Sequence, residues 1–219
     1  MHALMKLGFV ATLALPAMTP AVAIVPLFGG VQVSVSVTDY NDGYTDAQSN
    51  TASLAGVPAS LAAATAALVI DNNGGSITAQ GEAYGDWTSA TAGTFAARNF
   101  GWQYSNGGRG QAVIAGGTNW YYQFTTPTAA VLTWTYDVRG YYNYFGLWGF
   151  QLYVDGVAVG ATTDPYNPAS SGTLTANLAG GQTHDLALVN SGNLEGGGDI
   201  FGFMDGDFTW SIASAGRPV

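Results

Sequence analysis

The 219-residue sequence contains no cysteine, which excludes disulfides, thiolate zinc sites and a cysteine nucleophile. Basic residues are nearly as scarce. Five Lys and Arg stand against 14 acids for a net charge of -9. Charged residues of all kinds make up 9%, against about a quarter in an average globular protein. Nucleic acid, anionic lipid and polyuronate ligands each need basic side chains to offset their own charge, so all three are disfavoured as partners. Histidine is rare as well. Apart from His2 there is only His184, and its parity with Leu186 and Leu188 places it at the end of a core face rather than in a base's position. No serine stands in a G-x-S-x-G context, and His184 beside Asp185 is adjacency of a kind that a catalytic triad does not use. Two carboxylates across a cleft, as a glycosidase requires, are available from Glu82, Glu195 or the aspartates. Any acidic β protein offers as much.

What is abundant is apolar, aromatic and small. Hydrophobic residues reach 47% and aromatics 13%, enough for a sizeable core, and 31 glycines punctuate the chain. Met1 to Ala23 has the parts of a secretory signal: Lys6, an apolar run from Leu7 to Met18 broken by Pro16, and a small-x-small site at Ala21-Val22-Ala23. Cleavage before Ile24 leaves four arginines against the 14 acids, or -10, with no lysine and no later apolar run resembling a membrane span. Residues 24–219 are expected to form one domain.

Period-two alternation recurs along that domain. Val31 to Thr38 alternates valine with Gln32, Ser34 and Ser36. Ser76 to Trp87, Thr94 to Tyr104, Asn119 to Thr125, Val131 to Val138, Phe150 to Val154, Leu174 to Leu178, His184 to Asn190 and Phe208 to Ile212 also read as strands. Asp71 to Gly75, Asp155-Gly156 and Ala179-Gly180-Gly181 read as turns between them. Thr51 to Ile70 is ambiguous: Ser60 can cap a short helix over Leu61 to Leu68, or the segment can be an irregular strand. With no sustained helical period elsewhere, the expected fold is all-β, an antiparallel, jelly-roll-like β-sandwich.

Two groups of residues carry candidate chemistry. Asp39, Asn41, Asp42 and Asp46 are oxygen donors in a glycine-containing segment, and Asp205 and Asp207 precede the last strand. If the first and last strands lie side by side, Asp39, Asp42 and Asp207 can hold a structural calcium ion; the alternative is an Asx-rich turn. The run RGYYNYFGLWGF holds more aromatic surface than one strand face can bury. Tyr141, Tyr142, Tyr144 and Trp148, with Trp102 and Trp120 elsewhere, can stack on pyranose faces, and Arg139 and Asn143 can bond sugar hydroxyls. Core burial is the competing role, preferred for Trp134, Tyr136 and Phe150.

The leader, the Ala/Ser/Gly-rich first third, FGLWGFQLYVDG, LAGGQTHDLALVNSGN and the ending GDFTWSI resemble the exported β-sandwich portion of proteobacterial PEP-CTERM proteins over roughly Val31 to Ile212. Those proteins continue into a Pro-Glu-Pro motif, an apolar span and a basic end, whereas this sequence reads ASAGRPV. The resemblance implies secretion and association with extracellular polysaccharide, and it brings no catalytic residue. A weaker likeness is to jelly-roll carbohydrate-binding modules, which often carry calcium and an aromatic platform. The expectation is a secreted, non-catalytic, lectin-like sandwich that binds a neutral or weakly charged polysaccharide through the Tyr141 to Trp148 loop. A self-associating matrix or surface protein is the alternative, and a glycoside hydrolase a second one.

Overall fold

A computed structural model describes residues 23–40, 42–70, 75–104, 111–142, 145–161 and 170–215; the expected leader lies almost wholly outside them. The strands in chain order are β1 (Val25–Asp39), β2 (Thr45–Ser53), β3 (Ala59–Ile70), β4 (Ser76–Ser89), β5 (Ala92–Tyr104), β6 (Gln111–Thr126), β7 (Ala130–Tyr142), β8 (Phe145–Val154), β9 (Val157–Ala161), β10 (Ser170–Leu178), β11 (Gln182–Gly197) and β12 (Ile200–Ser214). They form two six-stranded sheets in the orders β2-β1-β6-β11-β8-β9 and β10-β7-β12-β5-β4-β3, with antiparallel neighbours throughout. This is the expected all-β sandwich.

Alternation decides what each strand buries. Val31, Val33, Val35 and Val37 of β1 face inward, as do Ile77, Ala79 and Ala83 of β4 and Phe95 and Ala97 of β5. Four indoles fill the centre. The Trp120 ring lies 4.9 Å from Trp134, 5.6 Å from Trp210 and 5.9 Å from Trp87, and all four are buried. Each large side chain so buried stabilises the fold by about 1.5–3 kcal/mol. Glycine makes room for the core rings at one inward position: a Cβ on Gly206 would stand 2.5 Å from the Phe208 ring and 2.9 Å from Phe150.

One open choice is decided and two expectations need correction. The Ala-rich segment is an edge strand, β3, and carries no helix over Leu61 to Leu68; Ala63, Ala67 and Val69 alternate inward, and pairing along β4 outweighs the helix propensity of alanine. The last strand starts at Ile200, because Gly202, Met204 and Gly206 complete an inward face opposite Phe201, Phe203, Asp205 and Asp207. The first and last strands are not neighbours: β1 lies in one sheet and β12 in the other.

The facing edges formed by β2 and β3 close on each other. Asp46 Oδ2 accepts from the Leu68 backbone N–H at 3.1 Å, and Asn50 Nδ2 donates to the Ala64 carbonyl at 3.1 Å. The hydrogen bond from Leu68, followed by one from Gln48 Nε2 at 2.8 Å, holds the Asp46 carboxyl below its ordinary range. Unpaired strand groups that could recruit another chain are occupied there instead.

Candidate ligand-binding face

The outward side of the second sheet gathers charged, polar and aromatic side chains, because four strands place those positions there in register. Opposite one another across β7, β12, β5 and β4 stand Arg139, Asp205, Arg98 and Glu82, a row of alternating charge. Arg98 and Arg139 are the only lysine or arginine side chains among the described residues. Both reach diagonally to one carboxylate: Arg98 Nη2 donates to Asp207 Oδ1 at 2.6 Å and Arg139 Nη2 to Asp207 Oδ2 at 3.2 Å. Arg98 also donates to the Ala97 and Gly206 carbonyls at 3.0 Å, and Arg139 lies 3.7 Å from Asp137. Asp205, 4.0 Å from Arg98 Nε, has its carboxyl pushed up by burial, and the two guanidiniums only partly oppose that shift.

On one side of the charged row lies an aromatic patch. Phe201 packs edge-on to Phe100 at 5.4 Å and to Phe203 at 6.2 Å, and lies 6.1 Å from Tyr141; Trp102 stacks on Tyr104 at 6.1 Å. Trp102 is 39% exposed, Tyr104 46% and Tyr141 53%, a large ring area to leave in water on one sheet face. On the other side lies a groove of about 680 Å³, crossing five strands and lined among others by Ala62, Tyr84, Asp86, Ala96 and Asp207. Tyr84 Oη donates to Glu82 Oε2 at 2.9 Å, and Ser60 Oγ donates to Asp86 Oδ1 at 2.8 Å.

The expected sugar site is distributed differently. Arg139 and Tyr141 belong to β7 and lie on this face, but Trp148 belongs to β8 in the other sheet. The segment between them is mostly strand: only residues 143–144 separate β7 from β8. Asn143 and Tyr144 lie outside the described residues, as do the side chains of Tyr142 and Trp148. Trp120, like Trp134 and Phe150, is core; Tyr136 is partly buried against that core. Sequence reasoning passed over Phe100, Tyr104, Phe201, Phe203 and Tyr84. The signal was present, since Phe100, Trp102 and Tyr104 on β5 and Phe201 and Phe203 on β12 fall on the parity opposite the buried Phe95, Phe208 and Trp210.

The expected calcium ligands are not brought together. Asp39 is buried at the end of β1 and faces inward, Asp42 follows it in the turn, and Asp207 faces outward from the opposite sheet with both oxygens taken by arginine. Among the described residues no three Asp, Glu or His side chains gather as a metal site. His184 is buried, with Nδ1 2.8 Å from Asp155 Oδ2 and Nε2 2.9 Å from the Ala179 carbonyl. That contact ties the β8–β9 turn to the β10–β11 turn, which fits the core position expected for this histidine.

No protein-family model matches the sequence, and no curated protein is similar to it. Among solved structures the chain is similar to the GH31 alpha-xylosidase from Xanthomonas citri at 11% identity and a TM-score of 0.24, over 82% of this chain and 28% of that enzyme. The chain thus spans little more than a quarter of the enzyme's length, and a likeness at that level carries no argument about function.

Proposed function

We propose that the chain is a secreted sandwich that binds a neutral extracellular polysaccharide on the outward face of its second sheet, without cleaving it. The observation that carries this is the half-exposed aromatic patch of Trp102, Tyr104, Tyr141 and Phe201 beside a hydroxyl- and carboxylate-lined groove. Rings of this kind offer flat apolar faces to the C–H faces of pyranoses, and the polar groups bond their hydroxyls. Neutrality of the ligand is supported by charge: Glu82, Asp137, Asp205 and Asp207 surround the two arginines of this face, so a uronate or sulfate meets net negative charge there. Stacking on single rings is weak, so useful affinity depends on a repeating ligand.

The test is affinity electrophoresis of the purified protein through gels containing soluble neutral glucans, mannans and xylans, with thermal melts alongside. The wild type is expected to be retarded in at least one gel. Trp102→Ala combined with Tyr141→Ala is expected to remove the retardation while the melting temperature stays nearly constant. No retardation in any gel overturns the proposal, and a steady release of reducing ends overturns its non-catalytic half.

A second reading is favoured by Leu68 and Ile70, which are 52% and 64% exposed on edge strand β3, in the rows that hold Trp102 and Tyr104. An apolar end of this kind also suits self-association in a matrix or surface layer. A molar mass that rises with concentration in light scattering and falls back in Leu68→Glu supports that role.

A further inference from the structure

The groove beside the aromatic patch has a shape and a direction that narrow the class of ligand. Its long axis follows two rows of outward residues that cross the strands in register. In the first row Ala62, Tyr84, Ala96, Asp207 and Asp137 stand opposite one another on β3, β4, β5, β12 and β7. The second row contains Thr94, Thr209 and Thr135 on β5, β12 and β7. Ala62 and Ala96, the shortest side chains in the first row, form the low floor on either side of Tyr84, and Asp207, held by Arg98, follows them in the same row. Five strands at the usual spacing of about 4.8 Å span roughly 19 Å, the reach of an extended saccharide of about four rings.

The residues that the strand register places at the two ends of the groove are short. At one end Ala62 lies on the sheet's edge strand. At the other, Asp137 and Thr135 face Ser171 and Thr173 of β10. A site that recognises a chain terminus needs a wall against which the terminus stops, and this groove has small residues at both mouths. Its polar lining is unbalanced as well. Asp86 and Asp137 are acceptors only, and the threonine hydroxyls both donate and accept, so the preferred occupant brings many hydroxyl donors and no negative charge.

We propose that this groove holds an internal stretch of a neutral glycan chain lying across the strands and emerging at both ends. This rests on the carbohydrate-binding reading above and adds to it the binding direction, the chain-internal mode and the location of the selective contacts. The aromatic patch then supports a neighbouring part of the polymer.

The experiment measures affinity of the intact protein for gluco-, manno- and xylo-oligosaccharides graded from monosaccharide to hexasaccharide, with free and chemically blocked ends, and for the parent polymers. For the series that binds, affinity is expected to climb at least tenfold from the disaccharide to about the tetrasaccharide and then level off, with blocked ends making no difference. Ala96→Trp fills the floor and is expected to lower affinity at least tenfold. Ala62→Trp, at an exposed edge position where a misfolded protein is not a concern, is expected to do the same more mildly. A monosaccharide that binds as well as its polymer overturns the proposal, as does a loss of binding when the ends are blocked. If both filled variants fold and bind like wild type while the Trp102 and Tyr141 double variant does not, the groove is not the site and the broader carbohydrate reading stands. If the wild type binds no saccharide or polymer at all, both readings fall together.

Discussion

Arg98 Nη2 donates to Asp207 Oδ1 at 2.6 Å, a diagonal bond from β5 to β12 that bypasses the residue in direct register with Arg98, Asp205. With Arg139 on its second oxygen, Asp207 joins three strands on the outward face, where it, Asp205, Asp137 and Glu82 together outweigh the charge of the two guanidiniums. Exposed pairs of this kind contribute little to stability, about 0.2–1 kcal/mol each. Their consequence is selectivity. Asp207→Asn is expected to lower stability by about 1 kcal/mol or less and, with Asp205, Asp137 and Glu82 still around the two arginines, to leave polygalacturonate unretained, whereas combining it with Asp205→Asn and Asp137→Asn is expected to confer weak, salt-sensitive retention. Gel retardation with and without added salt reads this out, and an unchanged mobility of the triple variant counts against the role given to these carboxylates.

Two tryptophans separate the core from the candidate site. Trp134→Ala is expected to cost about 3–5 kcal/mol, because it opens a cavity against Trp120 and Phe208. Trp102→Ala, at a half-exposed position stacked only on Tyr104 among the described ring contacts, is expected to cost roughly 1 kcal/mol or less. Urea denaturation of the two variants measures the contrast.

The Asp46 carboxylate closes the β2–β3 edge through the Leu68 amide. Asp46→Ala is expected to raise hydrogen exchange at Leu68 well above that of its neighbours facing β4 while leaving global stability almost unchanged. Because the folded carboxyl is held below its ordinary value of 3.8, its contribution is present above that pH and is lost as pH falls through the lowered value. The protection of Leu68 in the wild type, its exchange relative to the intrinsic rate at each pH, should therefore fall selectively in acid.

Asp205 has the opposite sign. Burial raises its folded pKa above 3.8, so in the window between the two values the folded state binds more protons than the unfolded, and stability from this group falls as pH rises. Asp205→Asn is expected to flatten that part of the melting-temperature profile. A wild-type minus variant difference that does not change across the window contradicts the assignment.

Most of the strands were legible because alternation is a local property: a pleated strand with one buried face writes its period into any stretch long enough to show it, as in Val31 to Val37 or Ile77 to Ala83. Two of the strands that were missed or cut short have small residues on part of their inward face. In β3 half of that face is alanine and in the first half of β12 half of it is glycine, so composition suggested a helix in one place and a loop in the other. Only pairing to β4 and β5 reveals them as strands.

By itself the sequence determined the fold class, the acidic and cysteine-free character, and which residues along each strand share a side, since all of these follow from composition and a two-residue period. The tertiary structure alone decided which strands are neighbours. Strand order depends on contacts between segments far apart in the chain, and no local pattern encodes it. That order put β1 and β12 in different sheets, so Asp39 and Asp207 do not meet. It set β5, β12 and β7 side by side, so Trp102, Phe201 and Tyr141, distant in sequence, share one exposed patch, while Trp120, equally aromatic, is enclosed between the sheets.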